Sequence, residues 1–528
     1  MTASEPTPRR ADAVRKRPLS KSTQRGLYRR QRSFVDFLPW VEALPEHKAI
    51  LLADGVSVGA VLEVTPIGTE GRTADYLGQV RDTVQDALQD SFDEHDTAPW
   101  VIQTYTFDEP DLDGPATAVA NYVRPAARGS DYTEAYLALL NRHYRGISKP
   151  GGLFTDTVVT HSPWRGAVRR NLLVLYRKFP AHKRRRGKHE PQMDRDMALL
   201  DLADAVDKFT HALQPAGVQV RRLSGAEFHD WLLGFFNHGT ELFGGDLKAF
   251  LRETRCDDET LPYGDRFAET LFYDHPRSDQ DNQCWWFGPS ALRCLSIDGL
   301  RRRPAVGQVT GETRRGDAHN TLIDFLPPGS VFVSTLVVIP QDTVESHIQA
   351  IDASAIGENS ESAQVRKDCE TAREILASRQ KFYRAQYAVY LRGHSVADLN
   401  ERTTALRARL LNYGFRAIAP RDDFTALDAA IRNLPMVYDP AQDAKEGWRG
   451  AQITLVQHMA NLSCFFGRAR GTGHPGIALF NRGGEPMFFD PLNPADRQKN
   501  AHMLILGPTG AGKSASVIAM LAHVMAIH

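Results

Sequence analysis

The 528-residue sequence lacks net charge and is poor in cysteine. Lysine plus arginine number 64, and aspartate plus glutamate also number 64. This balance excludes a strongly basic protein that is held to nucleic acid by bulk charge alone. The five cysteines, at positions 256, 284, 294, 369 and 464, form no C-x-x-C pair. An odd number without zinc-type spacing argues against a disulfide framework, so we expect reduced, mostly buried thiols.

Long apolar runs are also absent from the sequence. No stretch of ~18 apolar residues occurs, so no membrane-spanning helix is predicted. The best candidate, residues 331–340, is too short and is predicted to form a buried strand. The basic stretch 28–34 superficially resembles a twin-arginine export signal. Asp36 and Pro39 interrupt the apolar region that such a signal needs, so no export signal is predicted.

The remaining composition is that of an ordinary globular protein. Apolar residues make up 42% of the chain and charged residues 24%, which excludes a mainly disordered chain and a collagen-like one. The length suggests about three domains. We expect a basic tail over 1–33, an α+β domain over 34–445, and the start of a nucleotide-binding domain over 446–528.

The tail at residues 1–33 carries ten basic residues against Glu5 and Asp12, a net charge of +8. Its composition predicts a segment without stable structure in isolation. Three roles remain open for it: contact with anionic lipid headgroups, contact with nucleic acid, or a solubilising tail. Two further basic loops, 182–189 and 300–315, are expected to be exposed linkers, with phosphate or lipid contact as the alternative.

Strand and helix patterns alternate along the middle of the chain. A capping box, Ser224 with Glu227, predicts one helix start, and Ser395 predicts another. The alternation predicts an α/β protein whose first domain contains ferredoxin-like strand–helix layers. The predicted strands are 49–68, 100–110, 171–179, 218–223, 330–340, 385–393 and 416–420. The predicted helices are 73–92, 197–213, 224–237, 358–383 and 395–415.

Two short glycine-containing motifs do not predict sites. GTGHPG (471–476) matches the string of a dinucleotide-binding turn, but Pro475 and a strand-like segment, 477–480, follow it instead of a helix. EPDLDGP (109–115) lacks the acidic residues that a calcium loop needs at fixed positions. We expect the first to be a loop and reject the second as a calcium site, and we expect Met487 with its two following phenylalanines to lie in a strand.

A third motif, GPTGAGKS (507–514), has the context that a phosphate-binding loop requires. The apolar segment 503–506 is predicted to be a strand, and 515–527 an apolar helix. The string satisfies G-x-x-x-x-G-K-[ST], with strand before and helix after. Its candidate ATP-binding residues are Gly507, Pro508, Thr509, Gly510, Ala511, Gly512, Lys513 and Ser514.

Each part of this motif has a chemical reason. The glycines permit positive φ and close approach of the backbone, so that successive N–H groups can surround the β-phosphate. The helix N-terminus adds partial positive charge. Lys513 is expected to reach the β- and γ-phosphates, and the Ser514 hydroxyl to ligate Mg²⁺. The predicted cofactors are therefore ATP and Mg²⁺.

A P-loop ATPase also needs an acidic strand that holds Mg²⁺ and orients water, and this strand normally follows the P-loop. Only 14 residues follow Ser514. We therefore expect the chain to be the front part of a longer ATPase. By itself it is expected to contain no catalytic residue and to hydrolyse ATP negligibly.

Three stretches, 221–237, 476–493 and 500–514, together resemble the conjugative-transfer ATPases of type IV secretion systems (the TraC and TrbE type). The resemblance implies a RecA-like motor after the α+β domain, hexamers formed through that motor, and inner-membrane secretion components as partners. It also implies a cytoplasmic protein, peripheral at the inner membrane, that powers pilus assembly and the transfer of DNA or protein.

Two alternatives to this interpretation remain. One is a DNA translocase of the HerA/FtsK type, in which the basic segments would hold DNA. The other is a nonenzymatic docking module of a secretion complex.

Removal of residues 1–33 is expected to leave the fold intact, because this segment has too few apolar side chains to offset its chain entropy. Limited proteolysis of the full chain, followed by mass spectrometry, should trim the protein to near Phe34. Protection of the segment 9–25 from cleavage would contradict this prediction.

Overall fold

A computed structural model describes residues 33–95, 97–157, 160–179, 191–315, 318–357, 359–448, 450–497 and 502–528. Residues 1–32 of the basic tail, and the basic loop 182–189, lie outside the described residues. The chain divides into two units, 1–38 and 39–528. In the first, the described residues form a 3₁₀ turn, Phe34–Phe37, where the backbone N–H of Ser33 donates to the Asp36 carboxylate at 2.6 Å. The expected domain boundary at 445 stays a prediction.

The second unit contains all the strands of the described residues. They are β1 Trp40–Leu44, β2 Ala49–Leu52, β3 Val58–Thr65, β4 Ile67–Gly68, β5 Trp100–Glu109, β6 Phe154–Thr155, β7 Pro163–Trp164, β8 Val168–Arg177, β9 Gln219–Arg222, β10 Arg277–Asp279, β11 Cys284–Phe287, β12 Ser290–Leu300, β13 Thr313–Arg315, β14 Ala318–Asn320, β15 Val331–Val337, β16 Phe382–Gly393, β17 Phe415–Ala417, β18 Gln452–Leu455, β19 Phe466–Gly467, β20 Ile477–Phe480 and β21 Pro486–Phe489.

The helices of this unit lie between the strands and at the end of the chain. The α-helices are Ala74–Asp90, Asp113–Tyr122, Asp131–Ile147, Pro191–Leu213, Gly225–Phe236, Leu247–Thr254, Asp265–Glu269, Gln341–Ser354, Ser360–Ala377, Val396–Asn412, Ala426–Arg432, Pro440–Lys445, Val456–Leu462, Pro494–Arg497 and Lys513–Ile527. Short 3₁₀ turns are Pro45–His47, Gln214–Ala216, Leu242–Gly245, Ile323–Phe325 and Pro420–Asp422.

One large antiparallel sheet organises the fold and makes it mixed α/β. Thirteen of the described strands belong to this sheet, in the order β1-β2-β3-β8-β5-β15-β16-β12-β11-β10, with β9 beside β3, β17 beside β12 and β18 beside β16. In the first half, β3 and β5 flank β8, and β9 lies beyond β3. With helix Ala74–Asp90 between β3 and β5, and helix Pro191–Leu213 between β8 and β9, this is the β-α-β-β-α-β connectivity of a ferredoxin-like layer.

The second half of the sheet repeats this strand order. In the first half the four strands in chain order are β3, β5, β8 and β9, and in the second half they are β12, β15, β16 and β17. In both halves the strands lie side by side in the order second, third, first, fourth. The two halves join where β5 pairs antiparallel with β15, from Val101 opposite Val337 to Thr106 opposite Phe332. The large sheet is therefore two four-stranded layers placed edge to edge, with further strands added at the outer edges.

Local sequence signals agree closely with the helix starts. The Ser224 hydroxyl accepts from the backbone N–H of Glu227 at 3.3 Å, and the Glu227 carboxylate accepts from the backbone of Ser224 at 2.9 Å, which confirms the capping box. Ser395 caps its helix through the N–H of Asp398. The predicted helix 358–383 is wrong at its end: it stops at Ala377, because Arg379 adopts a left-handed backbone with φ 64°.

The helices Ala74–Asp90 and Pro191–Leu213 pack on one face of the first half. The first of these turns one apolar stripe towards the sheet, formed by residues four apart, and Val80, Val84 and Leu88 on it are all buried. Ring contacts extend this packing, with Phe92 and Phe209 centroids 5.2 Å apart. All five cysteines are free; Cys256 is half-buried and the other four are buried, as expected.

The segment 433–438, which we call the strap, crosses the opposite face of the first half. Buried polar side chains of the sheet donate to its carbonyls: Tyr105 to Asn433 at 2.9 Å and Tyr176 to Tyr438 at 2.8 Å. Met436 of the strap lies directly on β3 at Gly59, where an added Cβ would stand 2.7 Å from the Met436 sulfur. Glycine is therefore required at 59 for the close approach.

A buried ion network fastens three parts of the second unit together. The carboxylate of Asp324 accepts from Arg468 at 2.8 and 2.6 Å and from Arg169 of β8 at 3.2 Å. Arg169 also pairs with Asp108 of β5 at 2.8 Å, and Arg468 with Glu312 at 2.8 Å. Burial alone would raise the pKa of the Asp324 carboxyl, but Arg468 and Arg169 outweigh it and hold that pKa well below its usual range.

Asp324→Asn is expected to lower the free energy of unfolding by about 3–5 kcal/mol at pH 7, because it leaves two buried guanidinium groups short of a negative partner. Equilibrium urea unfolding measures this. The matched control is Asp422→Asn, whose side chain is 62% exposed and should change stability by no more than about 0.5 kcal/mol.

This difference between wild type and Asp324→Asn should also depend on pH. Because the folded pKa of Asp324 is depressed, its contribution is full above the unfolded aspartate pKa of ~3.9 and is lost as pH falls further. A difference that stays constant from pH 7 to pH 3 would show that Asp324 is not ionised in the folded protein.

Candidate nucleotide-binding loop

The predicted phosphate-binding loop opens the last helix of the chain, Lys513–Ile527, which we call the loop helix. Gly510 and Gly512 have φ values of 82° and 77°, in the left-handed region that glycine favours, whereas Gly507 does not have a positive φ. Gly512 is the N-cap, and no side chain caps the helix. The first intrahelical bond is donated by Ser516 to the Gly512 carbonyl at 3.0 Å. The N–H groups of the first turn are therefore available to an anion.

Lys513 folds back over this loop. Its ammonium donates to the carbonyls of Gly507 at 2.8 Å and Pro508 at 2.7 Å. These are neutral acceptors, and the other described residues provide no ion pair to this lysine. A bound phosphate would offer the lysine a charged acceptor in place of two carbonyls, so the lysine fits a triphosphate ligand.

The strand predicted at 503–506 is wrong. These residues form no strand, and no described strand pairs with them. The side chains of Leu504 and Leu506 are 80% and 81% exposed. A strand requires a neighbouring strand to which its backbone is hydrogen-bonded. The large sheet of the second unit places none of its described strands beside residues 503–506. The helix predicted at 515–527 is confirmed and begins two residues earlier, at Lys513.

The C-terminal half of the loop helix is anchored to a helix pair, Asp113–Tyr122 and Asp131–Ile147. Ile527 is fully buried in an apolar cluster whose other members come from residues 112–147. Carbonyls of the last helical turn find partners there: Thr133 donates its hydroxyl to Ala526 at 2.9 Å, and Arg124 its backbone N–H to Ile527 at 2.8 Å. The end of the loop helix is thus satisfied by tertiary contacts.

His523 adds a side-chain polar contact within this interface. Its Nδ1 accepts from the backbone N–H of Ala478 in β20 at 3.4 Å and is also hydrogen-bonded to the Tyr136 hydroxyl. Since a backbone N–H can only donate, Nδ1 carries no proton. Burial lowers the pKa of His523 to about 4, so the ring is neutral at pH 7.

Asp490 completes the anchor at the end of the helix. Its carboxylate is fully buried, accepts from the Tyr122 hydroxyl at 2.7 Å and lies 3.1 Å from His528 Nε2. It follows β21 directly, in a hairpin with β20 that packs against the helix pair. The β20–β21 hairpin, the helix pair and the loop helix therefore form one assembly within the second unit.

The glycine-containing loop 471–476 supports the same assembly without being a nucleotide turn. It is a loop, as predicted. The Thr472 hydroxyl and His474 Nδ1 each lie 2.6 Å from the Asp496 carboxylate. Burial would raise the pKa of Asp496, but these hydrogen bonds and one from the backbone N–H of Asp490 outweigh it and lower that pKa.

Ser514 is the candidate protein ligand for a metal ion at the loop. The described residues contain no cluster of three or more histidine, cysteine, aspartate or glutamate side chains that would hold a metal ion. Ser514 is exposed at the start of the loop helix. Its hydroxyl fits a magnesium ion that is brought largely by the phosphates of a nucleotide, which is how Mg²⁺ is commonly bound.

The match to a known family comes from the sheet rather than from this loop. A family model described as "TraC protein" matches residues 34–438, more than half of the chain. The chain belongs to the TraC family. Members of this family are type IV conjugative transfer proteins. No curated protein matches the chain.

The TraC match covers both halves of the large sheet and ends at Tyr438, the last residue of the strap. The candidate nucleotide-binding loop lies beyond it. Family membership and the loop motif are therefore independent observations on one chain. In this TraC-family chain, no helix of the described residues combines the length and the apolar character needed to cross a membrane.

Ile527→Ala is expected to lower the free energy of local opening of the loop helix in this TraC-family chain by about 2–5 kcal/mol. The substitution removes buried apolar atoms and leaves a cavity in their place. Hydrogen exchange read by mass spectrometry over 513–527 should show a matching increase in local opening. Met525→Ala is the control on the same helix, because Met525 is 66% exposed. Equal exchange in both variants would contradict the anchor.

Proposed function

We propose that the chain binds MgATP through Gly507–Ser514 and is part of the machinery that energises conjugative transfer. The observation that carries this proposal is the uncapped, glycine-rich start of the loop helix, with Lys513 aimed into the loop. This geometry suits a nucleotide phosphate. Membership of the TraC family supports the second part of the proposal, a role in conjugative transfer.

The anchoring of the loop helix supports coupling between nucleotide and sheet. The loop helix is fixed at its C-terminal end by Asp490, His523 and the helix pair, while its N-terminal end is exposed. Movement of the loop on nucleotide binding would be transmitted through a rigid helix to the assembly that contains β20 and β21. A motor that moves a substrate needs such a mechanical connection.

The exposed apolar side chains near the loop support further assembly there. Met503, Leu504 and Leu506 precede the loop, and Ile518 and Leu521 follow it, all largely exposed. We propose that a RecA-like motor covers them, that hexamers form through this motor, and that the protein works in the cytoplasm, peripherally at the inner membrane with type IV secretion components. Patches of this kind mark interaction surfaces.

The DNA-translocase alternative has one supporting observation. Arg301, Arg302 and Arg303 in the basic loop 300–315 are exposed, as phosphate contacts require. Arg302 donates to the carbonyl of Asn412 at 2.7 Å, so part of this loop is held by the protein itself. Family membership favours the conjugative role.

Lys513→Ala is expected to weaken MgATP binding by at least about tenfold, because a charge-assisted hydrogen bond to phosphate contributes ~1.5–3 kcal/mol. Isothermal titration calorimetry on the full chain measures the affinity. Lys445→Ala, which removes an exposed lysine of another helix, is the control and should bind as wild type does.

Ser514→Ala separates the metal from the nucleotide. This variant should still bind ATP, but added Mg²⁺ should no longer increase its affinity. Unchanged MgATP affinity in Lys513→Ala, or no ATP binding by the wild-type chain, would overturn the proposal for this loop.

A further inference from the structure

An open groove of about 570 Å³ lies between the two helices that cover the first half of the sheet, Ala74–Asp90 and Pro191–Leu213. Asp86 and Asp90 line the groove from the first helix, and Asp207 lines it from the second. All three side chains, which we call the groove aspartates, are exposed. A ligand in solution can therefore reach their carboxylates, and the volume is that of a small-molecule site.

The groove aspartates differ from the carboxylates around them. They form no ion pair and no hydrogen bond with any other described residue. The neighbouring carboxylates are paired: Asp82 with Arg81 at 2.6 Å and Asp93 with Arg177 at 3.0 Å. Negative charge without a counter-charge is thus concentrated inside the groove.

Two of the groove aspartates repel each other. Asp86 and Asp90 are one helical turn apart, a separation of about 5–6 Å between their Cβ atoms, at which like charges destabilise a helix. Partial burial, followed by the charges of Asp90 and Asp82, raises the pKa of the Asp86 carboxyl. Both aspartates also lie near the helix C-terminus, where the backbone carries partial negative charge. A bound cation would relieve this repulsion.

The basic side chains of the groove do not neutralise it. Lys208 lines the groove, but its ammonium is held by Asp204 at 2.6 Å, so that this pair has no net charge. His211 also lines the groove, and its Nδ1 lies 3.5 Å from the Gln214 side-chain oxygen. The charges of the groove aspartates therefore remain uncompensated by the described residues.

Ser91, which follows the first helix, is a second and independent sign of a ligand. It lines the groove and is only 8% exposed, and its hydroxyl has no hydrogen-bond partner among the described residues. Its backbone N–H is used, since it donates to the Ala87 carbonyl at 3.3 Å. The Thr83 hydroxyl in the same groove is satisfied by the Gln79 carbonyl at 3.1 Å. The Ser91 oxygen is thus available to a donor that enters the groove.

The lining between these polar groups limits the class of ligand. Ala87 and Ala212 give the groove apolar surface. The described residues contain no cluster of acidic, histidine or cysteine side chains that would hold a metal ion, so the carboxylates are spread along the groove instead of meeting at one point. A matching ligand carries several positive charges that are separated by short apolar stretches.

We propose that this groove binds a linear aliphatic polyamine. Its ammonium groups pair with Asp86 and Asp90 on one wall and with Asp207 on the other, and one of them donates to the Ser91 hydroxyl. Its methylene groups cover the alanine side chains between them. The site is separate from the loop at 507–514, so it does not depend on the proposed nucleotide binding.

The test is calorimetric titration of the full chain with spermidine at low ionic strength and without nucleotide. Asp86→Asn and Asp90→Asn should each weaken binding about threefold, and the double variant about tenfold, as expected for partly exposed ion pairs. Ser91→Ala should weaken it about twofold. Asp75→Asn is the matched control, because it removes the same charge from an exposed position of the same helix outside the groove, and it should leave the affinity unchanged.

Thermal unfolding gives an independent readout. Without spermidine, the double variant Asp86→Asn, Asp90→Asn should melt at the same temperature as wild type or higher, because a like-charge repulsion is removed. With spermidine, the wild-type chain and Asp75→Asn should gain thermal stability, and the double variant should gain less.

Three outcomes would overturn the proposal. Equal weakening by Asp75→Asn and Asp90→Asn would show a diffuse attraction of cations to the whole surface. Binding of Mg²⁺ at the same ionic strength, with the same dependence on Asp86 and Asp90, would show a site for simple cations. Binding of tetralysine but not of spermidine would assign the groove to a basic protein segment.

Discussion

The carboxylate of Asp324 is the point on which the second unit depends. It sits in a short turn before β15 and receives two arginines, one from β8 and one from the segment after β19. The first half of the sheet, the second half and the C-terminal part of the chain therefore meet at a single buried charge. Displacing one of these partners would lower the stability of the fold strongly, because a buried cation without its anion costs more free energy than a missing apolar contact. The network therefore fixes the position of the segment that leads to the loop helix.

The repeated strand order of the two halves depends on backbone pairing rather than on particular side chains. The two halves are joined where an edge strand of each, β5 and β15, pair antiparallel. This pairing uses backbone hydrogen bonds, which do not depend on the identity of the side chains. The two halves use different helices and different side chains. Their common feature is the alternation of strand and helix, which is all that two antiparallel layers of this kind require.

Local features of the fold were predictable from sequence, and distant ones were not. The helix from Ala74 and the caps at Ser224 and Ser395 depend on residues three or four apart, so the pattern contains them. Strand β12 and the helix pair 113–147 escaped notice because the first lacks clean alternation and the second follows a turn-like, proline-containing stretch. Of the candidate site, the glycine conformations and the helix start were predictable. The strand at 503–506 was not, since a strand exists only with a neighbour, and the anchoring residues Asp490, Tyr136 and His523 carry no motif at all.

The strap has a consequence for a chain that is still being synthesised. The Tyr176 hydroxyl finds its acceptor 262 residues further along, at Tyr438, and β3 keeps a bare glycine at 59 to receive Met436. Until the strap emerges from the ribosome, one face of the first half has polar groups and an apolar surface without a cover. Closing so long a loop is slow compared with pairing of adjacent strands. The nascent N-terminal half therefore exposes this face to association with other chains for as long as translation of the second half takes.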